Sequence, residues 1–311
     1  MTIIALAGGF LLALVIPRTE LITPYHQQIM MYVGINILLT ASLNLVNGYM
    51  GEFSVGHAGF MAVGAYSSSV LALSLGPLSY PLFPLILVWG GLAAALTGFL
   101  IAIPSFKTRG DYLAIVTLAF NMIVKSLIEN IEFIGGPRGM MGMPRLTNLA
   151  WVFVWVILGL FMMRNFVHSR FGRGAVAIRE DEIAAEVMSV DTKRCKILTF
   201  TIAAFFAGVA GGLFAHLITY IHPSSFSILK STDILVMLYL GGMGSLGGSI
   251  IGAAIFTLLL EVLRFMGLWR WVVGPLLLVI LMIARPGGIM GRREFPFLIP
   301  KGERGLVYAS S

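Results

Sequence analysis

The chain has 311 residues, 58% of them hydrophobic and 11% charged, with a mean hydropathy of +0.92. Soluble domains carry about 45–50% apolar and about 25% charged residues, so this composition excludes a soluble enzyme and leaves no length for a separate catalytic domain. The 21 Lys and Arg against 14 Asp and Glu give a net charge of +7, which in so apolar a chain marks loop orientation rather than nucleic-acid binding. The single cysteine, Cys195, supports neither an internal disulfide nor a Cys-rich metal site.

At about 20 residues per crossing, the apolar content predicts an all-α, polytopic transmembrane helical bundle of about 8–10 spans. The membrane domain is expected over 1–284, with a cytoplasmic loop at 164–196 inside it and a cytoplasmic tail over 285–311. The first apolar stretch, 2–16, has no basic residue ahead of it and no A-x-A cleavage pattern before Arg18, so it reads as a retained helix rather than a signal peptide. A second stretch covers 29–46 and runs into a glycine-rich segment with glycines at 48, 51, 56, 59 and 64. Glu52, Ser54 and His57 stand in that segment at the start of the third stretch, 56–75. Such backbone needs protein or water around it, and polar side chains at this depth face a bundle interior or an aqueous path. The segment is either a pathway lining or ordinary small-residue packing with Glu52 at the cytoplasmic boundary. His57 alone specifies neither proton transfer nor metal binding.

Further apolar stretches follow at 82–103, 112–128 and 149–163. Lys125 and Glu129, four residues apart, read as an interfacial pair. The next segment, 164–196, holds Arg164, Arg170, Arg173, Arg179, Lys193, Arg194 and Lys196, and its part 170–191 adds five acidic residues, so it cannot sit in lipid. Gly172 and Gly174 break the chain there, and the Ala, Glu, Arg, Met and Ile that follow predict one helix of about 16 residues, roughly 24 Å long. Arg179, Glu182 and Glu186 would share one face, with Ile178 and Ala185 opposite, while the small Ala184 and Ala185 permit close approach by another protein. The helix is a docking element or a solvated amphipathic loop helix.

The last apolar stretches are 197–221, 233–263 and 268–284. The middle one carries Gly241, Gly242, Gly244, Gly247, Gly248 and Gly252. Its formal G-x-G-x-x-G, from Gly242 to Gly247, lacks the preceding strand of a soluble βαβ unit, so a nucleotide site is rejected. G-x-x-x-G spacing of Gly244, Gly248 and Gly252 points to tight helix packing, and the sharper alternative is a broken helix of the kind found in transporters. Isolated polar residues within or beside spans are Asn36, Asn44, Asn121, His216, Asp233 and Glu261. A charge at mid-membrane costs about 2.5–3.5 kcal/mol, so the deep ones should face partners or water, whereas those near span ends can snorkel.

Charge fixes orientation. The 164–196 segment and the tail, with Arg285, Arg292, Arg293, Lys301 and Arg304, are expected in the cytoplasm. Three simple crossings after residue 196 would leave the tail outside, so 233–263 must break, into two short crossings or a re-entrant hairpin. Counting backwards puts Lys107 and Arg109 inside and the 129–147 loop outside.

A set of motifs runs in order along the chain: Gly48-Tyr49, Gly51, Ser54, Gly56-His57-Ala58, Phe60 and Gly64-Ala65-Tyr66; Arg109-Gly110-Asp111-Tyr112 and the run Ala114 to Phe120; Asn130, Gly135-Gly136 and Gly139; Gly172-Arg173; Ala177 to Glu180; Glu182 to Glu186; and Gly241 to Gly248. By these, over about residues 30–290, the chain resembles the LivM-type permease subunits of ABC transporters for branched-chain amino acids. It departs from the common pattern at Glu52, where the family has Gln, at Asn121, near which it has Glu, and at Ser189, where it has Gly. The resemblance implies a multi-pass protein of a prokaryotic inner membrane. It would pair with a homologous second permease, be driven by two cytoplasmic ATP-binding subunits, and be fed by a periplasmic or surface binding protein. The 170–191 segment would be the ATPase-coupling element, carried by Gly172, Arg173, Ile178, Arg179, Glu180, Glu182, Ala184, Ala185 and Glu186. Glu52, Ser54, His57, Gly244, Ser245 and Gly247 are candidates for the translocation path. No G-x-x-x-x-G-K-[ST] occurs, so the ATP-binding phosphate loop is expected on another chain, and no cofactor, metal or covalent chemistry is expected here. Related systems carry urea, short amides or other amino acids. The rival class is an ion-gradient-driven secondary transporter, for which Glu52, His57 and the glycine break supply features; for an intramembrane hydrolase the sequence offers no H-E-x-x-H and no convincing Ser and His pairing.

Overall fold

The computed structural model describes residues 23–106 and 112–269, and beyond these 272, 273, 276, 279, 280, 283, 287–291, 294 and 295. The expected stretch at 2–16, Lys107, Arg109, the basic residues of the tail and most of 268–284 lie outside the described residues. The helices are α1 (Pro24–Asn44), α2 (His57–Leu75), α3 (Phe83–Ser105), α4 (Tyr112–Asn130), α5 (Leu149–Val167), α6 (Arg170–Glu180), α7 (Glu182–Val187), α8 (Thr192–Ile218), α9 (Ile228–Gly241) and α10 (Leu246–Val262). Seven helices among the described residues are long and apolar enough to cross a membrane, which makes the chain a polytopic helical bundle. At 14 residues, α9 is not one of them. Its length of about 21 Å falls short of a hydrocarbon core of about 30 Å.

Helix ends are set by local chemistry. Pro24 opens α1 at a position where its missing N–H costs nothing, and side-chain oxygens of Asn148, Ser169, Asp181, Asp191 and Ser245 cap α5, α6, α7, α8 and α10. After Asn44 the chain widens into a π-turn, Leu45–Tyr49, in which Met50 N donates to Leu45 O at 3.1 Å.

The bundle centre is α2, α3 and α8, with α1 beside them. Gly64 of α2 lies so close to α8 that a Cβ there would sit 2.2 Å from Gly208 O. Outward, Leu85, Trp89, Leu92, Leu96 and Leu100 of α3 form an exposed stripe at helical spacing, suited to lipid or to another membrane chain. At one end of the bundle a two-stranded ladder, β1 (Met140–Met141) with β2 (Tyr220–Ile221), ties the 129–147 loop to the end of α8. The 164–196 loop lies at the other end, where α5 finishes and α8 starts.

The 233–263 stretch breaks at its glycines: α9 stops at Gly241 and α10 starts at Leu246, with Gly242 (φ 118°) and Gly244 (φ 79°) in the left-handed region between them. The two helices then pack back on each other, a Cβ on Gly252 falling 2.1 Å from Met237 O. The 170–191 segment, expected as one helix, is instead two. Asp181 is extended (φ −162°, ψ 114°) and its carboxylate accepts from Ala184 N at 2.9 Å, so a capping residue ends α6 and starts α7. The shared face of Arg179, Glu182 and Glu186 is thereby divided between two helices.

Candidate functional site

Three segments far apart in sequence meet at the loop end of the bundle: the glycine-rich 47–56, the α9–α10 break, and α6–α7. Arg179, half-buried, donates from Nη1 to Gly48 O at 2.9 Å, and its Nη2 pairs with Glu180 at 2.6 Å. Lys196, on the first turns of α8, is 9% exposed and sits between two carboxylates, Glu52 Oε1 at 2.6 Å and Glu182 Oε1 at 2.8 Å. Glu52 therefore serves an ion triad that joins the α1–α2 connection to α7. Asn44 completes the network: its Oδ1 accepts from Gly244 N at 2.9 Å, and its Nδ2 donates to Ser245 O at 2.7 Å and Ser249 Oγ at 2.8 Å. A cavity of about 410 Å3 opens among these segments, lined in part by Asn47, Gly51, Arg179, Tyr239, Met243 and Gly291.

The break itself is held from the far end of the chain. Glu294 accepts from Leu246 N at 2.7 Å and Gly247 N at 2.8 Å, placing a carboxylate on the first turn of α10. Ile289 N and Met290 N donate to Leu240 O and Gly241 O at 2.9 and 3.0 Å, satisfying carbonyls at the end of α9. The chain thus returns, after α10, to the end of the bundle at which α10 began.

On α6 and α7 the expected coupling residues split between anchor and surface. Ile178 and Ala185 are buried with Cys195 in a small apolar cluster, and Gly172 is buried where a Cβ would meet Phe166 O at 2.1 Å. Thr192 Oγ1 donates to Glu186 Oε1 at 3.1 Å. Ala185 is therefore covered from within the chain. Arg173, Glu180 and Ala184 are exposed. So are Ile183 (69%), Val187 (78%) and Met188 (78%), an apolar knob that the sequence reading passed over; three large apolar residues within six positions of a charged loop were the available signal. Ser189 then closes α7 with φ 63°. Its N–H bonds Glu186 O and that of Val190 bonds Ala185 O, both at 3.0 Å, the turn in which glycine is the usual residue. Lys196, which the sequence shows only as part of a basic segment, is a structural centre, and so is Glu294, which no sequence pattern singles out.

Deeper in the bundle, Asn47 clasps the backbone of Ser54, accepting from its N at 3.3 Å and donating to its O at 3.4 Å. Val55 N donates to Thr117 Oγ1 at 3.1 Å, Ala58 N to Ser231 Oγ at 3.1 Å, and Asn121 Nδ2 to the same Ser231 oxygen at 3.3 Å. Ser42 Oγ, already donating to Leu39 O at 2.8 Å, lies 2.7 Å from His57 Nε2, so the imidazole N–H is the donor in that contact. The buried Ser54 Oγ and Asn121 Oδ1 have no hydrogen-bond partner among the described residues. Ser54, clasped by Asn47, and His57, against Ser42, are buried in the interior, while Gly244, Ser245 and Gly247 lie at the break. Among the described residues no three His, Cys, Asp or Glu side chains converge. Lys125 and Glu129 pair at 3.7 Å, as their spacing predicts.

No solved structure matches the chain. Among curated proteins it is 34% identical to the high-affinity branched-chain amino acid transport system permease protein LivM of Escherichia coli K12, over 82% of this chain and 68% of that one. It is 24% identical to the probable branched-chain amino acid transport permease protein LivM of Methanocaldococcus jannaschii, over 91% of this chain and 97% of the relative. To the high-affinity branched-chain amino acid transport system permease protein LivH of E. coli K12 it is 25% identical, over 83% of this chain and 91% of the relative. Residues 25–285, which include the glycine-rich segment, the two-helix loop and the break, match the family described as the branched-chain amino acid transport system permease component, and the chain belongs to that family.

Proposed function

We propose that this chain is one of two permease subunits of an ATP-driven importer of branched-chain amino acids, and that α6–α7 is the element on which the ATPase acts. The observation that carries the reading is the network joining this loop to both glycine-rich segments: Glu182 through Lys196 to Glu52, and Arg179 to Gly48. A displacement of α7 is passed to the α1–α2 connection by the ion triad, and Asn44 links that connection to the break between α9 and α10. Similarity to both LivM and LivH fits a transporter with two homologous permeases. The remaining partners are two cytoplasmic ATP-binding subunits and a periplasmic or surface protein that delivers the solute. The membrane is the prokaryotic inner membrane, with 164–196 and the tail on the cytoplasmic side.

The docking surface is Ile183, Ala184, Val187 and Met188, since a helix this short that leaves its apolar side uncovered is made to enter a groove of another protein. Replacing Ile183 and Val187 together by Asp tests this in the assembled transporter. Copurification of the ATPase and ATP-dependent leucine uptake should both fall by about tenfold or more, while Cys195, on the inner side of the loop, stays protected from maleimide. Copurification and uptake at the unaltered level would refute the assignment. Leucine uptake by the chain alone, driven by an ion gradient, would refute the ATP-driven reading.

A further inference from the structure

Two charges inside the bundle take no part in the network at its loop end. Lys230 and Asp233 stand three residues apart on α9, hence on one face of that helix, and both are half-buried. Lys230 Nζ donates to Asn36 Oδ1 of α1 at 3.3 Å, and Asn36 Nδ2 donates to Thr257 Oγ1 of α10 at 2.9 Å. The ammonium thus meets one neutral acceptor, although it carries three protons. Asp233 accepts no hydrogen bond among the described residues. The two charges do not close into a contact pair either, although this helical spacing permits it: Arg264 with Glu261 and Arg194 with Asp191, also three apart, pair at 3.1 and 2.9 Å. Ionisable side chains at membrane depth face partners, water or a solute path, and this pair leaves bonding capacity open to a solute.

The chemistry of that party follows from the pair. A fixed cation and a fixed anion on one helix face complement a zwitterion, whose carboxylate would bond Lys230 and whose ammonium would bond Asp233. Next to them, at the junction of α1, α9 and α10, lies a separate apolar cluster that includes Ile37, Val236, Leu240, Phe256 and Leu260, with Ile37 adjoining Asn36 and Phe256 adjoining Thr257 in the chain. Ile37 and Leu260, which are only partly buried at the margin of that cluster, would offer an apolar wall to an aliphatic side chain attached to the zwitterionic head. We infer that Lys230 and Asp233 form a subsite for the charged head of an aliphatic α-amino acid. The inference rests on the importer reading above and names where the solute is held in this chain.

The test uses the complete transporter with its binding protein in proteoliposomes, reading ATP-driven uptake of radiolabelled leucine together with ATP hydrolysis. Lys230→Met and Asp233→Asn should each lower uptake by about tenfold or more, the scale of one lost charge-assisted hydrogen bond. ATP hydrolysis should persist and Lys230→Arg should retain most of the uptake. The double variant Lys230→Met/Asp233→Asn separates recognition from charge balance. If the subsite takes the zwitterion, uptake stays low when both charges are gone; if the charges only offset each other, uptake returns towards the unaltered level and the inference is overturned. Single variants within about twofold of the unaltered uptake overturn it as well. An unaltered transporter that hydrolyses ATP and takes up no leucine would overturn the importer reading instead.

Discussion

Replacing Lys196 by Met keeps the stem of the side chain, removes its charge, and leaves Glu52 and Glu182 facing each other. Each carboxylate lies within 2.8 Å of Nζ in the native network, so in the variant the two would stand about 5 Å apart and repel by about 3 kcal/mol at an effective dielectric of 20. Glu182 is 40% exposed, so solvent screening reduces this to about 2 kcal/mol. That energy favours release of α7 from α8 and raises the released fraction about 30-fold. A reporter is built in. Cys195, the one cysteine of the chain, is buried beneath Ile178 and Ala185 and becomes accessible only when the loop lifts. Maleimide labelling of the assembled transporter in proteoliposomes should therefore quicken about 30-fold in Lys196→Met. Glu182→Gln leaves Lys196 its Glu52 partner and should quicken labelling about fivefold, for a loss near 1 kcal/mol. Unchanged labelling in Lys196→Met, or a larger effect from Glu182→Gln, would refute the claim that the ion triad holds the loop down.

Glu294→Gln keeps an acceptor for the first turn of α10 and removes the negative charge that favours that position. It should cost about 1 kcal/mol and lower the midpoint of thermal inactivation of uptake, and an unchanged midpoint would count against the tail as a clamp on the break. Ser189→Gly relieves a left-handed backbone (φ 63°) at the end of α7. It should stabilise the docked loop by about 0.5–1 kcal/mol and slow the labelling of Cys195, whereas faster labelling would show that the turn is not strained.

The helices and the break were legible because they depend on local composition. Long apolar runs give spans wherever they occur, and six glycines between residues 241 and 252 can hardly continue as one helix. The division of 170–191 was harder to read, since Ala, Glu and Ile on both sides of Asp181 favour a helix and only the capping habit of that one aspartate opposes it. Least legible were the partnerships. Lys196 meets Glu52 from 144 positions away, and Glu294 reaches Leu246 across 48; the sequence shows Lys196 only as part of a basic segment, and nothing local singles out Glu294. Long-range pairing of this kind follows from helix order in space, which no local pattern encodes. Ala185 is ambiguous in the sequence for a physical reason: a small residue suits close approach by another protein, and it equally lets α7 lie against α8, where Ala185 is buried with Ile178 and Cys195.

The wide turn over Leu45–Tyr49 ends α1 with the carbonyl of Gly48 turned to Arg179. Because that acceptor is a main-chain oxygen, no amino-acid replacement at position 48 can delete it. Lesions there would act through bulk alone, as any added Cβ runs into Asn44 Oδ1 at 1.8 Å. A genetic screen for uptake-deficient alleles should accordingly be lopsided: at codon 179 the loss of hydrogen-bonding capacity is enough to score, and at codon 48 severity should track the size of the substituent and ignore its polarity.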